Sequence, residues 1–228
     1  MTIDGRPARS TPDGLPARSL LDGVELPEGV AEIPFLAQFD LRADPGDRAL
    51  MARLAAVIGV APPTEPNTAV STPDGAHHVL WLGPDEWLVI AAPGSALRPA
   101  PAPALGPAPS LEAALAAAFD GAPGAVVDVS ANRTMLSLVG PHARATLEHG
   151  CSIDLHARAF GTGRCAQTML ARAAVILVRM AENPTQVGPD PTPKYRILVR
   201  PSFANYIVAW LADALSEAST TEPPDAYR

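Results

Sequence analysis

Residues 126–151, VVDVSANRTMLSLVGPHARATLEHGC, press a strand, a turn, a second strand and a helix into one short run, and that succession limits what the flanking chain is able to build. Val126, Val127 and Val129 are β-branched and apolar, which suits a buried strand, whereas Asp128, Ser130 and Asn132 carry polar groups that compete with a ladder and end it. A turn is expected over 130–133. Met135, Leu136, Leu138 and Val139 then read as a second strand, and Gly140-Pro141 punctuates it before a helix-compatible run to His149. Pro141 fits the first helical position, where its missing N–H costs nothing, and Gly150 fits the C-terminal cap.

The rest of the chain follows the same grammar. Residues 35–41 alternate with a period near two, the Asp44-Pro45-Gly46-Asp47 turn is able to cap a helix over 50–58, and Gly59 to close it. Two apolar runs, 79–82 and 87–90, flank Gly83-Pro84-Asp85-Glu86, a hairpin turn with Trp81 and Trp87 at its corner. Ser110 caps an alanine-rich helix over 111–119. With the strand at 126–129 the first half reads β-α-β-β-α-β, a ferredoxin-like order. The second half opens again with strand 134–139 and helix 141–149, continues with strands near 166–170, 175–178 and 195–199, and ends in a helix over 202–215. Ser202 is its expected cap, and Phe203, Tyr206, Ile207, Trp210, Leu211 and Leu215 its expected apolar stripe. The fold class is therefore α+β, with two ferredoxin-like sheet-plus-helix units over 31–129 and 130–216, a flexible tail over 1–30 and another over 217–228. Proline-rich stretches at 93–109 and 184–193 read as extended excursions.

A chain of 228 residues with 47% apolar content has ample material for a core. No apolar run approaches the roughly 20 residues that span a bilayer, and the N-terminus lacks the apolar heart of a secretory signal, so a cytoplasmic protein without a membrane partner is expected. The net charge of −7 speaks against a nucleic-acid partner, yet it conceals a balance of −9 over 1–129 and +5 over 130–200. Almost all cations of that basic segment are arginines, whose planar fork suits protein contacts and anions.

The polar cluster His149, Cys151, Asp154, His156 and Cys165 contains transition-metal ligand types, but its spacing matches no closed site, and two cysteines without a second pair give neither a zinc ribbon nor a disulfide framework. Cys151 beside His149 or His156 lacks the electropositive setting of a nucleophile, because a helix C-terminus raises a thiol pKa. No dinucleotide fingerprint, phosphate loop or nucleophile elbow is present. The residues describe a domain that works through its surface, with no catalytic, cofactor-binding or metal residue assigned.

Several blocks in order, IPFLAQFDLR at 33–42, WLGPDEWLV at 81–89, VVDVS at 126–130, the Leu138–Ala143 joint, GCSIDLH at 150–156, RCAQTMLARAAVILVRM at 164–180 and YRILVRPSFANYIVAWLADAL at 195–215, resemble the gamma subunit of heterotetrameric sarcosine oxidase. More distantly they are similar to the glycine cleavage T protein, which implies a folate-binding aminomethyltransferase-like fold. Where such transferases carry an aspartate-bearing strand this chain reads Ala171-Arg-Ala-Ala-Val175, which implies a fold kept without its catalysis. The resemblance implies alpha, beta and delta subunits as partners, with FAD, FMN, NAD and tetrahydrofolate held in them and none in this chain, while the complex demethylates sarcosine to glycine. Arg133, Arg158 and Arg164 are the candidate partner contacts. Two other readings stay open: a stand-alone folate-dependent transferase, and the equivalent subunit of an N-methylglutamate dehydrogenase.

Overall fold

The structure, a computed structural model, describes residues 18–91, 110–181 and 193–220; the proline-rich excursions, Pro193 excepted, and most of both tails lie outside those residues. Local chemistry sets the elements of the first half. Asp47 accepts hydrogen bonds from the backbone N–H groups of Ala49 and Leu50 and starts α1, Arg48–Ile58, which Gly59 ends in the left-handed conformation at φ 90°. Ser110 Oγ likewise accepts from Ala113 N to open α2, Leu111–Phe119. Arg53 on α1 donates to the carbonyls of Ala118 and Phe119 at 2.6 and 3.1 Å, so the cationic side chain of one helix sits on the carbonyl end of the other.

The strands are β1 (Val30–Ile33), β2 (Ala37–Ala43), β3 (Ala69–Ser71), β4 (His77–Gly83), β5 (Glu86–Ala91), β6 (Gly124–Asp128), β7 (Thr134–Val139), β8 (Cys165–Leu170), β9 (Ala173–Arg179) and β10 (Lys194–Val199), with α3 (Ala143–Glu148) and α4 (Ala204–Thr220) completing the described elements. They form two antiparallel five-stranded sheets, ordered β3-β4-β5-β2-β6 and β1-β7-β10-β9-β8. In the first, the closing strand β6 lies beside the opening strand β2 and the β4–β5 hairpin completes the other side, the ferredoxin-like order, with β3 added at the edge. The second repeats this plan strand for strand, β7 in the place of β2, β10 of β5, β9 of β4 and β8 of β3. No strand follows α4 among the described residues. The place of β6 is taken by β1, from the opposite end of the chain, through the pairs Val30↔Leu138 to Ile33↔Met135. Sequence adjacency puts residues 31–33 with the first unit; hydrogen bonding puts them in the second sheet.

Period-two alternation then builds the layers. Trp87, Val89 and Ala91 of β5 face α1 and α2 together with Leu41, Leu50, Leu54 and Leu115, while Leu88 and Ile90 face the other way. In the second sheet Leu136, Leu138, Val175, Leu177, Tyr195 and Ile197 meet Ile207 and Leu211 of α4 and Leu147 of α3. The remaining faces meet each other, Leu80, Leu88 and Ile90 from the first sheet, with Leu36 from the link before β2, against Met135, Ile176, Val178 and Leu198 from the second. The result is helices, sheet, sheet, helices.

Four local expectations are corrected. Strand β6 is not buried: at the sheet edge, Val127 is 52% exposed and only Val126 turns toward the core. Helix α3 begins at Ala143, with Pro141 in the preceding turn, and Gly150 does not have a left-handed cap geometry. Glycine is needed there for space, since a Cβ would lie 2.5 Å from Cζ2 of Trp210. Helix α4 begins after a 3-10 turn over Pro201–Phe203 that contains Ser202, and its buried stripe is Ala204, Ile207, Val208, Leu211, Ala214 and Ala218, with Trp210 and Leu215 packed at its margin; Phe203 and Tyr206 instead stand edge to face on the exposed side. Finally, α4 runs on to Thr220, past the expected end of order at 216.

Candidate functional sites between and beside the sheets

The same alternation that supplies apolar side chains to the inter-sheet layer also delivers polar ones. His78 precedes Val79 on β4 and Arg196 precedes Ile197 on β10, so both belong to the faces that look inward. With Ser71, Leu80, Ile90, Met135 and Val178 they line a cavity of about 210 Å³ whose outer rim is Thr162, Met180 and Ala181. His78 Nδ1 and Ser71 Oγ are 2.6 Å apart in a hydrogen bond. Burial, reinforced by Arg196, His77 and Lys194, pushes the His78 imidazole down to about 4, so it is neutral at neutral pH. Burial also pulls the Arg196 guanidinium below its ordinary value, and its Nε is sealed from solvent with no hydrogen-bond partner. His77 plays a scaffold part, donating from Nδ1 to the carbonyl of Ile58 at 2.7 Å and tying β4 to the end of α1.

A second concavity, of about 380 Å³, lies beside the sheets, where Leu20, Ile33, Pro34 and Phe35 meet the 130–134 turn and Pro201. Phe35 is held at φ 59°, sparsely populated for a bulky residue, and is 37% exposed; Leu20 is 51% exposed. The wall is well fixed. Ser130 donates to Asp128 Oδ1 and accepts from Gln38 N, the Gln38 side chain donates to the Arg133 carbonyl at 2.7 Å, and Thr134 and Ser19 both donate to the Glu32 carboxylate. Arg133 is half-buried there, and burial, then Arg200, lowers its guanidinium pKa against the opposing pull of Asp40 and Glu86. Asp128 and Ser130 thus build the turn that presents Arg133.

The three candidate contact arginines do not converge. Arg133 lines the groove, Arg158 is exposed in the loop after α3 with its backbone N–H bonded to His156 Nδ1 at 3.2 Å, and Arg164 is paired with Glu65 at 2.8 Å just before β8. Of the polar cluster, Asp154 accepts from His156 N, Cys151 bridges to Leu170, and Cys165 is buried on β8, its thiol pushed up to about 11 by burial. Among the described residues no group of three His, Cys, Asp or Glu side chains is placed to hold a metal, and no helix is long and apolar enough to cross a membrane. Ala171 occupies the β8–β9 turn at φ 51° and donates its N–H to Gly150 O. The inter-sheet set of Ser71, His78 and Arg196 escapes a reading of spacing, because its members lie far apart in sequence. Its only local signal is charge or imidazole inside a strand that is otherwise apolar on both faces.

The gamma subunit family of sarcosine oxidase matches residues 42–217. The gamma subunit of an Arthrobacter species is 39% identical over 186 residues, covering 82% of this chain and 79% of the relative, and that of Corynebacterium sp. strain U-96 is 39% identical over 191 residues, covering 84% and 80%. A chain of the heterotetrameric sarcosine oxidase from Corynebacterium sp. U-96, solved in complex with pyrrole 2-carboxylate, superposes with TM-score 0.71 at 35% identity over 91% of this chain and 99% of that one. The aminomethyltransferase T of the Bartonella henselae glycine cleavage system shares the fold, with TM-score 0.52 at 14% identity over 80% of this chain and 45% of that one. With a family match over residues 42–217 and 39% identity to relatives over more than four fifths of its length, this chain belongs to the sarcosine oxidase gamma subunit family.

Proposed function

We propose that this chain works as a non-catalytic subunit of a cytoplasmic heterotetrameric sarcosine oxidase, packing against alpha, beta and delta subunits that hold FAD, FMN, NAD and tetrahydrofolate. The observation that carries this reading is the groove around Phe35: an apolar floor, a strained and exposed aromatic, and a desolvated arginine fork are the features concentrated at interface centres. Arg158, exposed on its loop, contributes at the rim, and Arg164 contributes only after exchanging its Glu65 partner.

Co-expression with the other subunits and affinity capture tests the reading. The chain is expected to co-purify stoichiometrically, and Phe35→Asp combined with Arg133→Glu to reduce recovery by about tenfold or more, with the melting curve of the variant unchanged. Undiminished recovery of the double variant would remove the groove from the contact. A wild-type chain that ignores the other subunits would overturn the subunit reading, and micromolar tetrahydrofolate binding by that lone chain would favour a stand-alone transferase.

A further inference from the structure

We infer that the inter-sheet cavity is a binding site for a small carboxylate on an apolar body, with Arg196 as the anion-binding fork and Ser71 as the polar neighbour. Four features on both sheets support this. The cavity has a charged donor whose Nε is sealed from solvent and unpaired, an arrangement that a protein tolerates at a cost unless an acceptor arrives. No Asp or Glu lines it, so the described chain supplies no counterion of its own. His78, the other titratable group on the first-sheet wall, is neutral and hydrogen-bonded to Ser71, which leaves Arg196 and Arg179 as the charges of the lining. Arg179 is already engaged, over the ring of Tyr195 at 4.8 Å.

Size and polarity narrow the class. About 210 Å³ holds the volume of roughly seven water molecules at ~30 Å³ each, below the range of roughly 300–1,000 Å³ common for drug-sized ligands, so the cavity suits a short-chain or single-ring acid and excludes a dinucleotide or a folate. Leu80, Ile90, Met135 and Val178 form an apolar interior that disfavours a bare inorganic anion. Guanidinium and carboxylate match as a planar bidentate pair, and pairing inside a low-dielectric cavity strengthens it. Entry is from the Thr162 and Ala181 side, where the rim is exposed.

The experiment uses the full chain assembled with its partner subunits, crystallised and soaked with 4-bromobenzoate, because bromine anomalous density locates the molecule independently of any other site. Density in this cavity with the carboxylate on Arg196 is expected. Arg196→Met should abolish it, Arg196→Lys should weaken occupancy about tenfold by loss of the fork, and Ala69→Leu, at a small residue of β3 that also lines the cavity, should abolish it by filling the space while leaving Arg196 in place. Ala69→Leu also keeps the test decisive should Arg196→Met fail to fold. Competition soaks with benzamide and with inorganic phosphate separate the chemistries. The inference is overturned if bromine density is absent from the cavity, if it persists in Arg196→Met or Ala69→Leu, or if benzamide or phosphate displaces the probe as well as benzoate does.

Discussion

The faces that the sheets turn toward their helices differ in material from the faces they turn toward each other. The outward layers are continuous apolar packing, in which Leu41, Leu50, Leu54, Trp87, Leu136, Ile197 and Leu211 are all at or near complete burial. The inter-sheet layer has its own apolar cluster but also takes in Gln38, His78, Ser137 and Arg196 and leaves a cavity at one side. Dense apolar layers hold the sheets to their helices, and the seam between the sheets is where polar chemistry is accommodated. An amphipathic helix and a sheet match each other along their length, whereas two twisted sheets meet best at their centre and diverge toward the edges.

The largest expected effect breaks an outward layer. Trp87→Ala empties a fully buried site and strands the carbonyl of Pro63, which accepts from the indole N–H at 2.6 Å, and should cost about 3–5 kcal/mol in urea unfolding. Ile90→Ala, on the opposite face of the same strand at the cavity wall, should cost about 2 kcal/mol, since the enlarged space opens to polar groups and admits water. Equal losses from the two would erase the contrast.

The pH dependence of stability reports on the seam through His78. His78 titrates at about 4 in the folded state against 6.5 in the free side chain, so between those values the unfolded chain binds a proton that the folded chain does not. Stability therefore falls as pH drops from 6.5 toward 4, by up to about 3 kcal/mol from this group. Urea titrations at pH 7 and pH 4.5 on wild type and His78→Gln should show a smaller pH loss in the variant, and parallel curves would contradict the buried neutral state.

A smaller effect is expected at Gly150, behind α4. The added methyl of Gly150→Ala meets Trp210 at 2.5 Å and the backbone N of Ala171 at 3.1 Å, and should cost about 1–3 kcal/mol by overpacking, recoverable in part by Trp210→Phe. The smallest belongs to the exposed pair: Arg164→Ala should change stability by less than about 1 kcal/mol, less still at high salt, because Glu65 is 73% exposed.

The elements themselves were written locally. Asp47, Gly59 and Ser110 mark helix ends through a carboxylate, a freely turning backbone and a hydroxyl respectively, the 130–132 turn follows from Asp128 and Ser130, and β7 runs over the residues its period indicates. The three-residue β3 gave no such signal, being too short to show a period. The candidate sites were less legible. Arg133 stood out by charge and lies in a groove, but Phe35, its strained neighbour, looks like one more apolar residue of a strand, and the set of Ser71, His78 and Arg196 is drawn from three strands on two sheets.

What the sequence determined by itself is therefore the α+β class and, β1 and β3 apart, the order of strands and helices and most of their boundaries, because caps, turns and periodicity act between residues a few positions apart. Only the tertiary structure decided that β1 crosses to complete the second sheet, that β6 is an exposed edge, and that the sheets stack face to face with a charged cavity in the seam. Those choices rest on which faces remain unburied once each unit has formed, a competition among pairings distant in the chain that no local pattern encodes.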